Sequence, residues 1–170
     1  PTEQVDSIST VQVWYISFDE AERALKASNT TDTSSAAFDP SLWKNARTLV
    51  ETFVESFLRR PNHPPTFDET YMQRRFLRRP ESLDASVNTM IVLDDNFYYQ
   101  SMRRVFQQMC RRHHQCYGEI VVKAPLELSL ARNSKRAADE IVPKDVLCRM
   151  VDRFERLDEN ADYATQTLVN

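Results

Sequence analysis

Two pairs of adjacent acids stand where ligand chemistry is commonly placed. Asp94 and Asp95 follow the apolar run Ile91-Val92-Leu93, and Asp19 and Glu20 follow the β-rich run Val11-Gln-Val-Trp-Tyr-Ile-Ser-Phe18. A carboxylate at the tip of a buried strand is costly unless a cation or hydrogen-bond donors meet it. In open α/β sheets that carboxyl edge is where ligands bind. Carboxylate oxygens suit a hard cation. The same acids also suit the start of a following helix, where a side-chain oxygen caps free N–H groups. On the residues alone both uses stay open.

Arg132 and Arg136, in Leu130-Ala-Arg-Asn-Ser-Lys-Arg136, are four apart and would share one face of a helix. Guanidinium groups stay charged and grip phosphate oxygens in a two-pronged fork. An ordinary basic helix end, favourable to the helix dipole, has the same composition. Cys110, His113, His114 and Cys116 approach metal-ligand spacing. Structural zinc sites, however, draw ligands from two separated knuckles, and these four lie at the end of one predicted helix. A partly buried helix end is the reading they favour. Phe57-Leu-Arg-Arg-Pro61 recurs as Phe76-Leu-Arg-Arg-Pro80, either as two helix stops or as a basic patch for RNA phosphate.

The elements that must position these groups follow from periodicity. Residues 11–18 read as a strand, and residues 21–27 as a short helix. The Ser/Thr/Asn/Asp-rich segment 28–37 reads as a loop. Asp39-Pro40 resembles a cap followed by a first-turn proline. From there Leu42, Ala46, Leu49, Val50, Phe53, Phe57 and Leu58 predict a long amphipathic helix over 40–60. A further helix is predicted over 67–79, a strand over 88–93, a helix over 98–115 and a strand over 117–124. Pro125 and Pro143 then open two last helices, the first to about residue 136 and the second to 156. Strands alternating with helices predict a parallel α/β sheet covered on both faces.

The totals narrow the class. A chain of 170 residues, 41% hydrophobic, can bury one ordinary core. Its net charge of −3 makes no global case for nucleic-acid binding. Three cysteines without framework spacing fit a reducing, cytoplasmic setting. No apolar run reaches the length of a membrane span. Gly118 is the single glycine, so no Walker A phosphate loop can form here. A chain starting at Pro1 rather than Met reads as a piece of a longer protein.

The string Ile91-Val-Leu-Asp-Asp-Asn-Phe-Tyr-Tyr-Gln-Ser-Met-Arg-Arg104 resembles the segment that marks the L-seryl-tRNA(Sec) kinases. These P-loop kinases phosphorylate serine carried on selenocysteine tRNA. The order of strand, acid pair, helix, strand, Pro125-Leu-Glu helix and basic helix end follows the same family. The resemblance implies a three-layer P-loop kinase-like domain over 1–170, with a mostly parallel sheet but without its first strand and phosphate loop. Its parts would be a second strand and helix (11–60), an insertion (61–87), a Walker-B-like strand through the lid (88–136), and a C-terminal helix and tail (137–170).

The same resemblance implies ATP and Mg2+ as cofactors and seryl-tRNA(Sec) as substrate, giving O-phosphoseryl-tRNA(Sec) for selenocysteine synthesis. Asp94 would hold Mg2+. Asp19 would lie beside the acceptor hydroxyl, with Glu20, Glu22 and Arg23 nearby. Arg132 and Arg136 would be lid arginines over the nucleotide, and Arg103 a third contact to it. That activity is expected of the full-length protein, and this piece alone is expected to be inactive. The alternative comes from Elongator-linked relatives that share the kinase-like domain: a non-catalytic, tRNA-associated regulatory protein.

Overall fold

The computed structural model describes residues 10–28, 40–60, 76–80, 84, 86–138, 141–156 and 164–169. The predicted loop beyond Ser28, the Asp39 cap, and all but the end of the helix predicted over 67–79 lie outside these residues. The chain divides into two compact units, Pro1–Asp95 and Asn96–Asn170.

In the first unit, β1 (Val11–Ser17), β2 (Leu77–Arg78) and β3 (Asn88–Asp94) form a sheet of order β2-β1-β3. β1 and β3 are parallel, with Val11 opposite Asn88 and Ser17 opposite Asp94. β2 is antiparallel to β1, with Tyr15 opposite Arg78. Leu77 and Arg78 are therefore extended where the sequence predicts a helix running to Arg79. The free edge of β1 offers them backbone partners, and Phe76 and Leu77 are buried.

Among the described residues two helices join this sheet, α1 (Phe18–Ser28) and α2 (Pro40–Arg59). α1 starts three residues earlier than predicted because Ser17 caps it: the Ser17 hydroxyl accepts the Glu20 amide at 3.4 Å. Ser17-x-x-Glu20 is thus a capping-box pattern. Along α2, Leu42, Ala46, Val50, Phe53 and Phe57 are buried at helical spacing. Trp14 of β1 meets Phe57 edge-on at 5.3 Å and Phe53 at 6.0 Å between ring centroids. Ile16, Val50, Phe53 and Phe76 are fully buried, each a stabilisation of about 1.5–3 kcal/mol.

Side chains alternate across a strand. Trp14 and Ile16 therefore take one face of the sheet, and Val11 and Val13 the other. Val11, Val13, Met90 and Val92 remain exposed, so among the described residues of this unit the helices cover one face of the sheet, where the sequence predicts cover on both.

In the second unit, β4 (Gly118–Lys123) pairs in parallel with β5 (Ala164–Val169), an element the sequence does not predict. Among the described residues β4 thus joins a separate two-stranded ladder instead of the β1–β3 sheet. The helices here are α3 (Gln100–Arg112), α4 (Leu126–Asn133) and α5 (Lys144–Asp152). Pro125 and Pro143 directly precede α4 and α5, as predicted. α3 ends in paired bonds, Gln115 N–H to the Cys110 carbonyl and His114 N–H to the Arg111 carbonyl, with His114 left-handed at φ 54°. That is the Schellman arrangement, at a position glycine usually fills.

Candidate active site

Asp94 is the last residue of β3 and Ser17, opposite it, the last of β1. Asp19 follows two residues later, in the first turn of α1. The two acids singled out in the sequence therefore leave the same carboxyl edge of two adjacent parallel strands. Both are exposed.

The neighbouring acids are treated differently. The Tyr15 hydroxyl donates to Asp94 Oδ2. The Arg78 guanidinium lies over the Tyr15 ring at 5.3 Å. Holding its proton toward Asp94, the Tyr15 phenol is raised above the ordinary tyrosine value. Burial and the Asp94 charge add to this, and Arg78 opposes it.

Asp95 is instead paired with Arg47 of α2, their side chains only 8% and 10% exposed. The Arg47 guanidinium lies over the rings of Phe18 and Trp43, at 5.0 and 4.8 Å from their centroids. The acid pair is thus split into one solvent-facing carboxylate and one locked into the interior. Helix capping, the plainer use of this pair, falls to neither acid. Tyr99 is the N-cap of α3, and the Glu155 carboxylate accepts the Gln100 amide of its first turn.

At the other acid pair, Glu20 is held by Arg23 at 2.9 Å. Glu51, one turn beyond Arg47 on α2, is raised by burial against the lowering charge of Arg47.

The arginines belong to the second unit. Arg103 is buried. Its Nη1 donates to the Phe97 carbonyl at 2.7 Å, and its Nη2 to the Glu155 carbonyl at 2.9 Å and that of Arg156 at 3.3 Å. Its Nε faces Glu119 Oε2 at 3.3 Å, and the Tyr117 hydroxyl donates to Glu119 Oε1 at 2.7 Å. As placed, Arg103 spends its donors on its own chain, holding Phe97 in a left-handed conformation at φ 35°.

Arg132 and Arg136 are both exposed. α4 stops at Asn133, however, so Arg136 lies in the turn beyond it and the two do not share a helix face. The buried Asn133 explains the stop. Its amide bonds both ways with the Val142 backbone, donating at 2.8 Å and accepting at 3.0 Å. These bonds tie the end of α4 to the backbone just before Pro143.

Residues 68–164, more than half of the chain, match a family model described as chromatin associated protein KTI12. The chain belongs to that family. Over 66 residues, 39% of its length, the chain is 36% identical to the L-seryl-tRNA(Sec) kinases of Homo sapiens and Mus musculus, covering 18% of each. A further 65-residue match is 34% identical to the L-seryl-tRNA(Sec) kinase of Methanococcus maripaludis, covering 25% of it. The chain thus spans a quarter or less of the curated relatives it matches, and the segment it shares with them is kinase-like.

The donor set fits the cofactors that such kinases imply. Mg2+ is typically held by one or two carboxylates, with phosphates and water completing the shell. An exposed carboxylate with one oxygen fixed by a phenol matches that demand. Exposed guanidinium groups at Arg132 and Arg136 match phosphate. For zinc, no three His, Cys, Asp or Glu side chains converge among the described residues. The Cys110 thiol is pushed up by burial, with nearby Cys116 adding, which disfavours the thiolate a metal needs. No described helix is long and apolar enough to cross a membrane.

Sequence reasoning missed Tyr15, Arg47, Asn133 and Glu155. Arg47 left a trace, a cation four residues after Trp43 on an otherwise apolar helix face.

Proposed function

We propose that the whole protein containing this chain is an ATP- and Mg2+-dependent kinase. It would phosphorylate the serine of seryl-tRNA(Sec) to O-phosphoseryl-tRNA(Sec), on a P-loop kinase-like fold with β1 and β3 among its parallel strands. The observation that carries the proposal is the common carboxyl edge from which Asp19 and exposed, phenol-held Asp94 both emerge. Asp94 would take the ion, which when bound neutralises charge on the phosphate oxygens. Asp19 would accept or orient the acceptor hydroxyl proton. Arg132 and Arg136 would bind phosphate oxygens. Arg103, with its donors engaged by Phe97, Glu155 and Arg156, would serve by holding the segment after Asp95 in shape.

The test is phosphoserine formation by the whole protein, with ATP and serylated selenocysteine tRNA. Asp94→Asn is expected to lower kcat by about 10²–10³. Wild-type protein that binds the tRNA yet forms no phosphoserine would sink this reading. A second reading, a non-catalytic tRNA- or Elongator-associated regulatory protein, is favoured by one observation. The KTI12 match runs over residues 68–164, longer than the 66 residues aligned with the kinases.

A further inference from the structure

Three strands contribute one residue each to a row across the first sheet: Arg78 from β2, Tyr15 from β1 and Asp94 from β3. The backbone fixes the row. Tyr15 stands opposite Arg78 in the antiparallel ladder, and Ser17, two residues on, stands opposite Asp94 in the parallel one. Tyr15 is thus the diagonal neighbour of Asp94 on the same face, a separation an aromatic side chain can span. Its hydroxyl occupies Asp94 Oδ2 and leaves Oδ1 as the free ligand oxygen. Arg78, exposed over the Tyr15 ring, fixes the phenol from the other side. Arg78 belongs to the second Phe-Leu-Arg-Arg-Pro segment, whose purpose the sequence leaves open.

Resting on the assignment of Asp94 to the metal ion, we propose that Tyr15 is a positioning residue. Its hydroxyl holds the Asp94 carboxylate in one rotamer, so that the carboxylate presents a single oxygen to a divalent cation carried by a nucleotide. Partners that hold a metal's ligands in place set its affinity almost as strongly as the ligands do, and their loss commonly costs about 10–100-fold. The hydroxyl alone makes this contact. Tyr15→Phe deletes it and keeps the ring against Arg78.

The experiment titrates the whole protein with Mn2+ and a non-hydrolysable ATP analogue, following water-proton relaxation, with thermal unfolding as a control. Wild type is expected to form the ternary complex, and Asp94→Asn to lose it. Tyr15→Phe should weaken Mn2+ about tenfold while unfolding at the wild-type temperature and binding the analogue alone unchanged. If Asp94→Asn loses Mn2+ but Tyr15→Phe matches wild type, Tyr15 has no positioning role although the metal assignment stands. If Asp94→Asn also matches wild type, the metal assignment is wrong and the role of Tyr15 falls with it. A Tyr15→Phe variant that weakens the analogue alone as much as Mn2+ would likewise overturn the proposal, because a general loosening of the edge would then be its cause.

Discussion

Arg47 carries a full charge on the buried face of a helix and pairs there with Asp95, 48 residues away. Removing one partner of a buried pair strands the other, which typically costs about 3–5 kcal/mol. Arg47→Met should therefore destabilise the protein by about that amount in chemical denaturation. Arg47→Met with Asp95→Leu should recover most of the loss, because an apolar pair of similar size is often tolerated. Glu51, on the same helix, has a charged form that burial disfavours. Burial raises its pKa, so its favourable contribution is complete below the ordinary glutamate value and is lost as pH rises through the raised one. Glu51→Gln should be more stable than wild type at neutral pH, and the difference should vanish in acid. Denaturation midpoints across that range would show it. Asp94 was legible in the sequence because a strand tip constrains its own neighbours. The fate of Asp95 was not, because no periodicity reports a partner on a distant helix.

At the scale of elements, periodic segments were legible and short or borrowed ones were not. α2 announces itself by the stripe from Leu42 to Phe57, and β1 and β3 by their β-branched and aromatic runs. β2 is two residues long and exists because β1 leaves an edge free, which is a tertiary cause. The start of α3 is also tertiary. Its N-cap Tyr99 has no capping oxygen in use, and Glu155 caps the helix from 55 residues away. Glu155 further donates its amide to the Tyr98 carbonyl at 2.8 Å. Glu155→Ala should remove the cap and cost about 1 kcal/mol. Amide exchange at Gln100 and Ser101 should accelerate while the end of the helix stays protected, a pattern hydrogen-exchange mass spectrometry or NMR would resolve.

At the scale of the whole molecule, each unit carries its own buried arginine–carboxylate pair, Arg47–Asp95 in the first and Arg103–Glu119 in the second. Their losses should be felt separately. Arg103→Met is expected to lower amide protection across residues 96–156 and leave Val50, Phe53 and their neighbours in α2 protected. Uniform loss of protection would contradict independent cores. Charge divides along the same line: residues 96–170 hold 12 Lys and Arg against 10 Asp and Glu, and residues 1–95 hold 10 against 15. A polyanion such as RNA would therefore favour the second unit, which the overall charge of −3 conceals.

The Schellman end of α3 has a practical consequence for a chain that owns one glycine. His114 takes the left-handed position without the residue best suited to it, at a standing cost of about 1 kcal/mol. Gly118 is only four places further along. A single His114→Gly exchange should relax that joint and raise the unfolding temperature by about 2–4 °C. It touches none of the groups assigned to chemistry, so it offers a sturdier background on which destabilising variants such as Arg47→Met could still be purified and measured.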